Sequence, residues 1–226
     1  MSEEVLDLPL FPLNTVLFPG MKLPLHIFED RYRLMIRECL RQDRDFGVLM
    51  AGLGTDHQGI SPTDTIGTSA RITHVDQLED GRMDIVTTGA RRFRLLHLLH
   101  TEPYVVGRVE VYPLGDADSP LVNELVSMAS KLFVRYLRLV SEVIGATIQL
   151  DGTPRNARDL AYAMAIALKV SMEEKQELLN IGTLPALLAR EVFILSREKV
   201  LLNRMQEAQD NNTGYVQALT QYLSLS

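Results

Sequence analysis

Between Leu8 and Ile36 the chain reads LPLFPLNTVLFPGMKLPLHIFEDRYRLMI, a proline-punctuated apolar run that turns abruptly into an amphipathic segment. Pro9, Pro12, Pro19 and Pro24 each lack an amide hydrogen and push the preceding residue towards extended geometry, so no continuous helix can form there. Short extended pieces remain. Leu8, Leu10, Leu13, Val16, Leu17 and Phe18, then Leu23, Leu25 and Ile27, supply buried strand faces, with turns expected at Asn14-Thr15 and Pro19-Gly20. From Glu29 the period changes. Tyr32, Met35, Ile36, Cys39 and Leu40 recur at spacings of three and four with Arg31, Arg33, Arg37 and Arg41 between them, one apolar stripe on a solvated helix.

Further along, Phe46 to Met50 reads as a short buried strand and Ala51 to Pro62 as a Gly-rich polar loop. Ile66 to Asp76 and Met83 to Thr88 read as strands joined through Glu79-Asp80-Gly81, a turn that tolerates positive φ. Gly89 is expected to break the ladder before Arg91 to Leu99, and Glu102-Pro103 to separate that strand from Tyr104 to Tyr112. About five to seven strands with hairpin-like turns predict a small antiparallel barrel or sandwich with one inserted helix over residues 1–113.

The pattern changes at Pro113-Leu-Gly-Asp-Ala-Asp-Ser-Pro120, and residues 114–226 are expected to be α-helical. Val122 to Val143 hold helical spacing for about six turns. Asn156 to Val170 is a second helix, and Ser171-Met-Glu-Glu174 is a capping box opening a third that runs to Asn180. Thr183 caps a fourth, which runs to about Gln209 with Leu187, Leu188, Val192, Ile194, Leu195, Leu201, Leu202 and Met205 in a wide stripe. At 1.5 Å per residue it is roughly 40 Å long. Asp210-Asn-Asn-Thr-Gly reads as a frayed end or linker. The stripe is compatible with a homodimer through this helix and equally with packing inside one chain. The fold class is thus α+β.

With 46% hydrophobic residues in 226, the chain has material for one large core or two modest ones. No apolar stretch reaches a membrane span and the acidic start lacks a secretory pattern, so the expected location is cytoplasmic. Cys39, the single cysteine, lies on the apolar helix face and reads as a buried, inert thiol. The net charge of −6 is shared by both halves, which disfavours a nucleic-acid surface. Arg91, Arg92 and Arg94 cluster, yet Arg92 and Arg94 share one strand face and Arg91 and Phe93 the other, so a solvated strand edge is expected.

Catalytic chemistry finds little to stand on. His97 and His100 lie three apart on a strand and point to opposite faces, His26 and Glu29 lack an obvious third ligand, and HExxH is absent, so no metal or other cofactor is expected. Gly59-Ile-Ser61 and Gly67-Thr-Ser69 begin like nucleophile elbows and fail at the second glycine. No lysine follows a glycine in a Gly-Lys-Ser/Thr phosphate loop.

Taken in order, the segments PLFPL and LFPG...LPLHIFE, Gly67-Thr-Ser-Ala70-Arg-Ile72, Gly89-Ala-Arg-Arg-Phe93-Arg, Pro103-Tyr104 and Val170-Ser-Met-Glu-Glu-Lys-Gln resemble the N-terminal, substrate-binding domain of ATP-dependent Lon proteases. The resemblance implies a PUA-like barrel followed by a helical bundle, and a non-catalytic unit that engages unfolded or damaged protein segments, acting as an adaptor or regulator beside a protease or chaperone. The ATPase and peptidase parts of Lon are expected to have no counterpart in these 226 residues. A site is expected at the strand-to-helix junction, where Phe18, Met21, His26, Phe28, Glu29, Arg31 and Tyr32 combine aromatic anchors with flanking charge. Phe18, Phe28 and Tyr32 each have a second reading as core residues. The alternatives are a small-ligand-binding or RNA-binding PUA-like protein, or an intrinsic hydrolase.

Overall fold

The computed structural model describes residues 4–52, 65–144 and 154–210. The predicted loop beyond Gly52, with His57 and Gly59-Ile-Ser61, lies outside the described residues, as do the Met205 side chain and the tail after Asp210. The chain divides into two compact units, Met1–Pro113 and Leu114–Ser226.

The first unit carries β1 (Val5–Leu13), β2 (Lys22–Ile27), α1 (Asp30–Gln42), β3 (Phe46–Met50), β4 (Ile66–Gln77), β5 (Met83–His100) and β6 (Val106–Val111). The strands run in the order β2-β5-β4-β3-β1-β6, and β6 pairs back to β5. Five strands therefore close into a barrel, while β2 lies outside the ring along the first half of β5. The sheet is mixed rather than wholly antiparallel, because β1 and β3 pair in parallel. The chain between them travels through β2 and α1, long enough for a crossover in place of a hairpin.

Two apolar clusters occupy the two faces of this sheet. Leu10, Leu49, Phe93, Leu95 and Val109 fill the barrel. Gly47 and Gly67 leave space there for the Phe93 ring, since a Cβ on Gly67 would stand 2.6 Å from it. On the outer surface Tyr32, Met35, Ile36 and Cys39 of α1 pack over Phe11, Phe46, Ile27, Met83 and Ile85. Leu40, assigned by its spacing to the same stripe, is instead exposed at the stripe's margin. Burial pushes the Cys39 thiol up to about 11, which removes the thiolate that reactivity requires.

Gly89 does not break the ladder: β5 is continuous through it. A Cβ there would lie 2.2 Å from the Phe18 carbonyl oxygen, so the glycine serves close approach of the β1–β2 connection. That connection is a turn in which the Met21 amide donates to the Phe18 carbonyl at 3.0 Å and Gly20 has φ +83°. Gly20 and Met21 then bond the Gly89 carbonyl and amide at 2.8 and 2.9 Å. Backbone groups alternate along a strand, so those of Lys22, Pro24 and His26 face the edge of β2 away from β5. The proline thus removes a donor from the middle of an edge that no described strand adjoins.

The second unit comprises α2 (Leu121–Ile144), α3 (Ala157–Ala167), α4 (Met172–Asn180) and α5 (Leu184–Asp210). Gly115 bonds Gly182 and Leu184 in a parallel bridge, which starts α2 and α5 side by side. The Ser171 hydroxyl accepts from the Glu174 amide at 3.3 Å, as the capping sequence predicts, and the Asn156 side chain accepts from Asp159 at 2.9 Å. Helix α3 stops at Ala167 rather than Val170, because the Lys175 ammonium donates to the Ala165 and Ile166 carbonyls and satisfies the helix end.

Glu191 is fully buried on the core stripe of α5, and Lys175 lies within electrostatic reach of it. Burial lowers the Lys175 ammonium to about 7 and raises the Glu191 carboxyl well above its usual 4.5. The folded chain thus retains a proton on Glu191 that the unfolded chain releases above pH 4.5. Stability from that group is whole below pH 4.5 and falls as pH rises towards the folded value, whereas the Lys175 contribution rises between pH 7 and 10.5. Glu191→Gln is expected to flatten the decline above pH 4.5, measured by urea unfolding across pH; an unaltered profile would contradict this. Gly89→Ala is expected to cost about 1–3 kcal/mol through overpacking against backbone, read as a lower urea midpoint at unchanged m.

Candidate functional site

The residues expected at the junction divide by burial. Phe18 is 1% exposed and belongs to the core. Tyr32 is 5% exposed and stacks on Phe11 with ring centroids 4.0 Å apart, and burial raises its phenol. Met21 is half-buried against the same cluster. Phe28, in contrast, is 61% exposed, because it lies between the last residue of β2 and the first turn of α1, where neither element turns it inward.

Around Phe28 the polar groups are tied to one another. Its ring stacks with that of His26 at 6.0 Å. His26 Nδ1 lies 2.6 Å from the Asp84 carboxylate, and its Nε2 lies 3.4 Å from the Arg82 guanidinium. Those partners assign the hydrogen to Nδ1, which donates to Asp84, and leave the Nε2 lone pair towards Arg82. Glu29 occupies the N-cap of α1 without a capping bond and instead accepts from Arg31 Nε at 2.9 Å. The Arg31 guanidinium then covers the Tyr32 ring at 4.6 Å from its centroid. The arrangement is an aromatic side chain held outward on a ring of hydrogen bonds and ion pairs, with no nucleophile positioned beside it among the described residues.

Sequence reasoning missed the neighbours that β5 and β4 supply. Register pairs His26 with Asp84 and Pro24 with Val86, then Asp84 with Asp76 and Val86 with His74. His26 and Asp84 are separated by 58 residues, and no local pattern announces their pairing. The alternation of Lys22, Pro24 and His26 against Leu23, Leu25 and Ile27 does mark an outward face of β2.

Elsewhere the arginine cluster differs from the expected solvated edge. Arg92 is 2% exposed, and Arg92 and Arg94 both lie against the Tyr112 ring, 4.9 and 4.4 Å from its centroid. Arg91 pairs with Glu4, Arg94 with Glu110 and Arg108 with Asp7, which leaves these cations neutralised. Among the described residues no group of three or more His, Cys, Asp or Glu is placed to hold a metal ion, and no helix is long and apolar enough to cross a membrane.

A model of the ATP-dependent protease La (LON) substrate-binding domain matches residues 7–197. The chain belongs to this family. It is 30% identical over 208 residues to the Lon protease of Parabacteroides distasonis, covering 88% of this chain and 25% of that protein. With the Lon protease of Anaeromyxobacter dehalogenans it shares 28% over 198 residues, 86% of this chain and 24% of the other. The chain therefore spans about a quarter of the length of these Lon relatives. Among solved structures, a Lon N-terminal domain protein from Xanthomonas campestris superposes with a TM-score of 0.59 at 25% identity, over 82% of this chain and 96% of the other. The N-terminal domain of the Mycobacterium avium complex Lon protease shares the fold, with a TM-score of 0.61 at 21% identity over 84% and 98%. The Lon-type fold is thus α+β, as the spacing of strands and helices predicts.

The burial contrast separates core from surface by mutation. Phe18→Ala is expected to destabilise by about 3–5 kcal/mol, whereas Phe28→Ala stays within about 0.5 kcal/mol of wild type. Equal losses in a thermal or urea melt would show that Phe28 is packed.

Proposed function

We propose that the chain recognises exposed apolar segments of unfolded or damaged proteins through the β2–α1 junction, and works as an adaptor or regulator in protein quality control without ATP use or cleavage of its own. The observation that carries this reading is the 61% exposure of Phe28 amid a ring of mutually bonded polar side chains. A large aromatic side chain held outward on rigid supports loses little conformational freedom on binding, which is how a few anchors dominate affinity. Membership of the substrate-binding domain family supports the same reading. Phe28, His26, Glu29 and Arg31 are the direct contacts, Met21 borders them, and Phe18 and Tyr32 hold the junction in shape from below.

Binding of a reduced, alkylated unfolded protein, followed by fluorescence anisotropy, tests the reading. Phe28→Ala is expected to weaken binding about tenfold while the melting temperature is kept. Undiminished binding by a folded Phe28→Ala variant would overturn the assignment of this surface.

A further inference from the structure

The outer face of β2, β5 and β4 continues from Phe28 and is left without a covering element among the described residues. Its inner side carries Ile27, Met83 and Ile85 in the core under α1, with Leu23, Leu25, Ile72 and Val75 against them. Its outer side runs in cross-strand rows, Pro24–Val86–His74 and His26–Asp84–Asp76, with the Phe28 ring stacked at the end of the second. His26, His74, Asp76 and Asp84 are all exposed.

Asp76 and Asp84 stand directly opposite one another on neighbouring strands. Side chains so placed are about 4.5–5.5 Å apart at Cβ, and like charges there repel. Each carboxylate has one imidazole contact, His26 to Asp84 at 2.6 Å and His74 to Asp76 at 3.1 Å. Neither has a Lys or Arg partner among the described residues. In the same unit Asp7, Asp30, Asp45, Asp80, Glu4, Glu29 and Glu110 are each paired with arginine. Arg82, the cation nearest His26, is already held by Asp80 at 2.6 Å, and Arg71 at the far end of the face by Asp45.

We propose that this face docks an extended client segment in which a lysine or arginine lies two residues from a large apolar side chain, so that both point to the same side. The cation settles between Asp76 and Asp84, and the apolar side chain packs on Phe28 and His26. In an extended chain two residues advance about 6.6 Å, close to the roughly 7 Å that one and a half strand spacings put between His26 on β2 and a point midway between Asp84 and Asp76. The inference rests on the peptide-recognition reading above and adds a charge preference to it. A cation relieves the cross-strand repulsion that the free face carries, so the preference comes from the empty site as well as from the contact.

The test uses the intact chain and three short labelled peptides with the same aromatic and aliphatic residues, differing only in Lys, Gln or Glu two residues from the aromatic. The lysine peptide is expected to bind about tenfold tighter than the glutamate peptide at low salt, with the ratio shrinking as salt rises. In Asp76→Asn/Asp84→Asn, and partly in Asp76→Asn alone, that ratio falls towards one while the unfolding midpoint is unchanged or higher. Charge-indifferent binding that still depends on Phe28, or a preference that survives the double change, overturns this inference and leaves the peptide-recognition reading standing. Absence of binding by all three peptides overturns both.

Discussion

The backbone contact between Gly89 and the Phe18–Met21 turn fixes the layout of the first unit. Strand β5 serves two partners along its length: its second half closes the barrel on β6, and its first half carries β2 outside the ring. The transition falls at Gly89, where the absence of a side chain lets the incoming chain lie 2.2 Å from a Cβ position. Once β2 is registered there, the apolar residues at alternate positions turn under α1 and the polar ones turn out. Phe28 is then delivered to the corner with no partner in the core. Core and surface chemistry of the junction thus descend from a single tight approach.

Much of this architecture is legible in the residues themselves. Helix α1, strand β3, the Gly81 hairpin turn and the Ser171 cap each follow from a local period or a local hydrogen bond. Tyr32 falls on the 3.6-residue stripe with Met35, Ile36 and Cys39, so its burial is readable. Phe28 sits where the strand period has ended and the helix period has not begun, and no periodicity speaks for it. What pairs over long distances is silent. The parallel β1–β3 ladder and the Asp84 partner of His26 depend on how the barrel closes. Gly89 was readable as a special position but not as the kind it is, since a breaker and a close-approach glycine look alike in one sequence.

The helical unit shows the complementary case, a core with charge inside it. Glu191 and Glu198 interrupt the apolar stripe of α5, and Lys175 closes the end of α3 with its ammonium. Arg197 offsets part of the cost by bridging Glu174 and Glu198. Burial of such groups costs desolvation that their partners only partly return, so they do little for net stability. The stripe Leu187, Leu188, Ile194 and Leu195 brackets Glu191 in the sequence, so the anomaly was visible as a charged residue at a core position.

Pro24 gives the outer strand a further significance. A strand edge with no neighbouring strand beside an exposed aromatic side chain is a ready template for sheet extension, and an extended polypeptide is the material that such an edge would recruit. With Pro24 in its middle and Lys22 near its start, the edge of β2 offers an interrupted row of donors. Copies of the chain are therefore hindered from stacking into fibres, and an extended polypeptide brought against the barrel is kept from being converted into another strand of it.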